Sequence, residues 1–113
     1  MKSLLRFASL FTLGGIITLV VSVSYAAEKP DGTAIFSSNC SMCHGVDGKG
    51  FAAIKTPDFT DPKWQAAHTD KELLEAIGNG VKGTAMPPFK DKLSQDQIDT
   101  VLKYVRSLGA SKK

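Results

Sequence analysis

The sequence predicts a small all-α domain behind an apolar leader, and three observations carry that expectation. Ile98, Val101, Leu102, Val105 and Leu108 recur on one helical face near the C-terminus. Two earlier stretches, opening at Asp31 and at Asp70, each place an acidic capping residue ahead of apolar side chains at helical spacing. No run alternates apolar and polar residues as a half-buried strand would.

The leader comes first. Of the 113 residues, 42% are hydrophobic and 22% charged, the balance of a folded chain rather than a disordered one. Lys2 and Arg6 precede an uncharged stretch from Phe7 to Ala27, and every acidic residue lies beyond it. A basic start, an apolar centre from Leu10 to Val21 and small side chains at Ser24 and Ala26 read as a secretory signal peptide over residues 1–26. The 21 uncharged residues are also long enough to span a bilayer. Gly14, Gly15 and the small-residue end favour cleavage after Ala26, so the membrane is a partner only if the leader stays. No cysteine directly follows the apolar run, which gives no sign of a lipid anchor. The domain, residues 27–113, is expected in the periplasm or another extracytoplasmic compartment. Without Lys2 and Arg6 it carries twelve basic and eleven acidic side chains, and no basic tract suggests nucleic acid.

Within the domain, Asp31 caps a helix expected to run to about Cys43, carrying Ile35, Phe36 and Met42. A glycine-rich loop, Gly45 to Gly50, continues irregularly through Thr56-Pro57-Asp58-Phe59-Thr60-Asp61-Pro62. Trp64 to Ala67 forms a short helical turn. Asp70 is the expected N-cap of a helix from Lys71 to Gly78 with Leu73, Leu74 and Ile77. The stretch Gly83 to Phe89 follows no regular pattern. Ser94 and Gln97 make a capping box for the last helix, which Gly109 is expected to stop. Eighty-seven residues with two long loops make a poor core by themselves. A large apolar cofactor enclosed by those loops resolves the conflict.

Cys40-Ser41-Met42-Cys43-His44 supplies one, because C-x-x-C-H is the signature of covalent haem attachment. Two thiols three residues apart at a helix end project in related directions, so both can add to the two vinyl groups of one haem. The adjacent His44 then reaches the iron. Other readings are weaker. A thioredoxin-like pair needs a βαβ setting, and a structural zinc needs four ligands where the domain has two Cys and two His. A disulfide leaves the histidine unexplained. The cofactor is therefore one haem c, bound through Cys40 and Cys43. Its second axial ligand must come from the far face. Met42 is too close to His44 to cross the ring and Met1 is in the leader. Met86, 42 residues beyond His44 and stiffened by Pro87 and Pro88, is the candidate, with His68 as competitor.

At these residues the chain resembles the small class I c-type cytochromes, the single-haem bacterial type, over residues 30 to 109. The resemblance implies three to four helices and long loops wrapped around one covalently bound haem. Gly32 and Phe36 match a Gly and a Phe that precede the first Cys by eight and four residues in that family. It implies that Gly32 permits a close crossing of the first and last helices, with Tyr104 packed nearby. It also implies that the carbonyl of Pro57 accepts a hydrogen bond from the second nitrogen of His44. Thr84 to Phe89 is similar to the family's methionine-ligand loop. Trp64 is either a donor to a haem propionate or a core aromatic. Between Gly45 and Thr56 the chain is short and glycine-rich, which implies a more open haem edge.

A His/Met haem has no open position for substrate, so no enzymatic activity is expected. The expected function is single-electron transfer between extracytoplasmic redox partners, by a monomer. Two alternatives stay open: a haem sensor or small-ligand binder, and a haem subunit of a larger oxidoreductase. Lys49, Lys55, Lys82, Lys90 and Lys92 border the expected haem edge; with so small a net charge they read as solvated surface slightly ahead of a docking patch.

Overall fold

The computed structural model describes residues 14–110, so the first half of the expected leader lies outside the described residues. Residues 14–31 form no helix or strand, and Ile16, Ile17, Leu19 and Val20 stand exposed. Among the described residues no helix is long and apolar enough to cross a membrane.

The described domain is all-helical: α1 (Gly32–Asn39), α2 (Ser41–His44), α3 (Pro62–Ala67), α4 (Asp70–Asn79) and α5 (Gln95–Ala110). Asp31 caps α1 as expected, its carboxylate accepting from the Thr33 amide at 2.9 Å. The helix does not run on to Cys43. It breaks at Cys40 (φ −120°), where side chains compete for the helical carbonyls: Asn39 donates to Ile35 O and Ser41 Oγ to Ser37 O. One 3-10 turn, Ala52–Ile54, lies in the stretch expected to be irregular. α3 starts two residues earlier than expected because Asp61 caps it and Pro62 fits its first turn.

The N-cap of α4 is Thr69, not Asp70. Thr69 Oγ1 accepts from the Glu72 amide at 3.2 Å while Glu72 Oε2 accepts from the Thr69 amide at 2.7 Å, a reciprocal box that Asp70 has no partner to form. Asp70 instead pairs with Arg106 of α5 at 2.7 Å. The Ser94–Gln97 box forms as expected. Gly109 does not stop α5; a side chain there would strike Gln65 of α3, so its smallness serves packing.

The core joins both ends of the domain. Ile35 and Phe36 of α1 pack with Ile98, Val101 and Val105 of α5, and the loop residues Phe59, Phe89 and Leu93 close the cluster. Gly32 sets the crossing. A Cβ there would lie 2.8 Å from Thr100 O and 2.9 Å from Tyr104 Cβ, neither of which is a flexible tip. The Phe36 and Tyr104 rings meet beside it, 5.2 Å apart. Gly32→Ala should therefore lower the thermal midpoint: overpacking costs about 1–3 kcal/mol, against a helix-propensity gain of at most about 1 kcal/mol. A midpoint equal to or above the parent's would refute a tight crossing.

Candidate haem site

Cys40 stands on the corner between α1 and α2, and Cys43 and His44 fill the single turn that follows. The Cys43 and His44 amides both donate to Cys40 O, at 3.2 and 3.0 Å, so one turn presents both thiols and the imidazole. Both cysteines are free, Cys40 half-buried and Cys43 exposed. Burial, and secondarily Cys43, pushes the Cys40 thiol up to about 11. A reactive redox cysteine is ordinarily shifted the other way.

His44 is partly buried, and desolvation lowers its pKa, keeping the neutral imidazole that can bind a metal. Its backbone is tied into the glycine loop, Gly50 N–H donating to His44 O at 2.8 Å. Gly50 has φ +71°, and a Cβ there would lie 2.5 Å from the carbonyl oxygens of Thr56 and Pro57. Only glycine lets the two segments lie this close. The following residues are held in turn: Phe59 N–H donates to Gly48 O at 2.8 Å.

Phe59 lies on the His44 ring, centroids 4.6 Å apart and planes inclined by 24°. Trp64 of α3 packs on Phe59 at 4.8 Å, and His68 stacks on Trp64 at 4.5 Å. The structure thus places Trp64 in an aromatic column running from His44. It does not bring His68 to His44: Phe59 and Trp64 stand between the two rings, and His68 Nδ1 lies 2.9 Å from Trp64 O. The expected hydrogen bond from His44 to Pro57 is not made. His44 Nδ1 is buried with no partner among the described residues, while the Pro57 carbonyl faces Gly50.

Met86 is half-buried in a loop closed at both ends. Phe89 and Lys90 donate to the Ile77 and Gly78 carbonyls at the end of α4, at 3.0 and 3.1 Å, satisfying groups the helix leaves free. Within it Val81 N–H donates to Met86 O at 3.3 Å and Met86 N–H to Thr84 Oγ1 at 3.2 Å. Lys49, Lys55, Lys82, Lys90 and Lys92 are all exposed.

Sequence reasoning missed Phe59, Gln65 and Arg106. Gln65 Nε2 donates to Phe59 O at 2.8 Å and Val105 O at 2.9 Å, and Arg106 donates to Gln65 O, Gln65 Oε1 and His68 O. Nothing periodic marks these residues, and their partners lie as much as 41 positions away.

The donor set fits a haem c: two thiols on one helical turn, a neutral imidazole beside them and a thioether on a tied loop. Phe51, Ile54 and Val81 add apolar side chains that the protein itself leaves 40–55% exposed. A helical domain closed by a glycine crossing, with this turn at its first corner, is a class I c-type cytochrome. Residues 27–105 match the family described as cytochrome c oxidase, cbb3-type, subunit III, and the chain belongs to that family. Haem c is its cofactor and electron transfer its chemistry.

Among curated relatives, the chain is 37% identical over 81 residues to a cbb3-type cytochrome c oxidase subunit FixP from a Bradyrhizobium species, covering 72% of this chain and 28% of the relative. It is 38% identical over 85 residues to the subunit CcoP of Rhodobacter capsulatus, covering 69% and 28%. The chain thus spans under a third of the length of these relatives. Among solved structures it is similar to the KustC0563 c-type cytochrome, at 32% identity and TM-score 0.64, covering 69% of this chain and 96% of that one. It is also similar to cytochrome cL of Methylophaga aminisulfidivorans, at 31% identity and TM-score 0.57, covering 67% and 49%.

Proposed function

We propose that this chain is an electron-transfer haem component of a larger oxidoreductase, working outside the cytoplasm and passing electrons singly to a partner enzyme. The observation that carries this reading is the match of residues 27–105 to an oxidase-subunit family, supported by FixP and CcoP relatives that are themselves oxidase subunits. In this reading the chain donates electrons to a catalytic subunit and transforms no substrate itself. Cys40 and Cys43 would hold the haem as thioethers, and His44 and Met86 would bind its iron. The bound haem supplies one-electron cycling between Fe(III) and Fe(II).

The protein's own part is to keep both ligands in place through that cycle. The Cys40 turn and the glycine loop anchor His44, and the ties at Ile77 and Gly78 hold the loop of Met86. A free carrier is the second reading, favoured by the likeness to KustC0563, of which this chain covers 96%.

Isolation of the natively expressed protein under mild detergent tests both readings. Subunit function predicts co-migration with an oxidase, and a haem protein migrating alone from every fraction would favour the free carrier. Mass spectrometry of the same material should place the mature N-terminus at Ala27, the removed residues 1–26 being the signal peptide. Intact residues 1–26 would instead make the leader an anchor.

A further inference from the structure

We propose that Thr84 is the positioning residue for Met86, its hydroxyl locking the backbone that carries the thioether. The inference deepens the reading of Met86 as an iron ligand and rests on it. Val81 to Thr84 form a tight turn, with Thr84 N–H donating to Val81 O at 3.2 Å. Gly83, the third residue of that turn, has φ +76°, a conformation that favours glycine. Past the turn the chain doubles back, and Val81 N–H donates to Met86 O at 3.3 Å. The Thr84 hydroxyl closes this ring from inside. It donates to Val81 O at 2.7 Å and accepts from Met86 N–H at 3.2 Å. Both backbone polar groups of Met86 are thus engaged, the amide through Thr84.

No neighbouring residue can take over this tie. Pro87 and Pro88 have no amide hydrogen, and the next N–H, that of Phe89, is given to Ile77 O. Gly80 lets the segment lie close to the end of α4. It has φ +71°, and a Cβ there would lie 2.8 Å from Met86 O and 2.9 Å from Pro88 N. The contacts at Ile77 and Gly78 fix where the loop ends, while the Thr84 hydroxyl fixes Met86 within it. Thr84 is exposed, so it acts through these hydrogen bonds and not through burial. A methionine side chain is unbranched and flexible. A firm backbone beneath it therefore limits how readily the sulfur leaves a metal, and keeps outside ligands from the position it fills.

The test compares holoprotein of the parent with Thr84→Val, which keeps the shape but removes the hydroxyl, and Thr84→Ser, which keeps the hydroxyl. Imidazole titrated into the oxidised protein competes with the thioether, so its apparent affinity reads how firmly Met86 is held. Loss of the weak near-infrared sulfur-to-iron band follows the displacement. Thr84→Val should take up imidazole with an apparent affinity about two- to tenfold higher, the net strength of one hydrogen bond. Amide hydrogen exchange at Met86 should quicken in the same variant. Thr84→Ser should restore both to the parent's values. If Thr84→Val lowers thermal stability but leaves imidazole affinity and Met86 exchange unchanged, Thr84 is an ordinary loop residue and the proposal fails. It fails equally if Thr84→Ser behaves as Thr84→Val does, because the hydroxyl is then not what holds Met86. A parent without the sulfur-to-iron band would instead overturn the ligation reading, a distinct outcome.

Discussion

Met86→Ala should abolish the weak near-infrared sulfur-to-iron band of the oxidised protein and leave the iron partly high-spin. The reduced variant should bind carbon monoxide, which the parent with both axial positions filled should not. Its reduction potential should fall, since a thioether favours Fe(II). Each tenfold loss of that preference lowers a one-electron potential by about 59 mV. His68→Ala is the control. Its ring stands beyond Phe59 and Trp64 from His44, so none of these signals should move. A silent Met86→Ala with a disturbed His68→Ala would mean ligation by two histidines, in a fold rearranged around α3. If neither variant changes the spectrum, the iron carries one protein ligand and a haem sensor overtakes electron transfer.

The second large effect is expected from removing the tether. Cys40→Ser together with Cys43→Ser should leave no stable holoprotein and no cooperative unfolding transition by circular dichroism. The buried apolar side chains among the described residues are few for a domain of this length: three phenylalanines and seven aliphatic residues. Met42, Val46, Phe51, Ile54 and Val81 remain 40% or more exposed. Cores this small ordinarily need a covalent or cofactor staple, and a group bound only to the folded form shifts the balance toward it. A double variant that unfolds cooperatively with the parent's midpoint would show that the helices suffice without haem.

Much of the site was legible before any coordinates, because covalent chemistry is local. The C-x-x-C-H spacing puts three groups on one turn whatever the rest of the chain does, and the structure has them on α2 and its corner. Met86 emerged by exclusion, as the methionine far enough along the chain to reach the opposite face. Helices with strong periodicity or a capping box, above all α5, were legible for the same local reason. Where two local signals competed, the reading went wrong. Asp70 is a good cap by type, but the Thr69–Glu72 pair forms a reciprocal box and leaves Asp70 to Arg106. Gly109 looks like a stop, yet it lies inside α5 against Gln65.

By itself the sequence determined the helical class, the attachment turn and the candidate ligands, while the glycine that allows α1 to cross α5 was implied by the family resemblance. Tertiary structure alone decided what surrounds the imidazole. The stacking of the His44 ring on Phe59 depends on a loop folded over Gly50 and on Gln65 bridging to α5. Those contacts join segments up to 41 residues apart and follow no periodic pattern. They form only once the helices have packed, because a side chain's partners across the core are set by where distant backbone comes to rest.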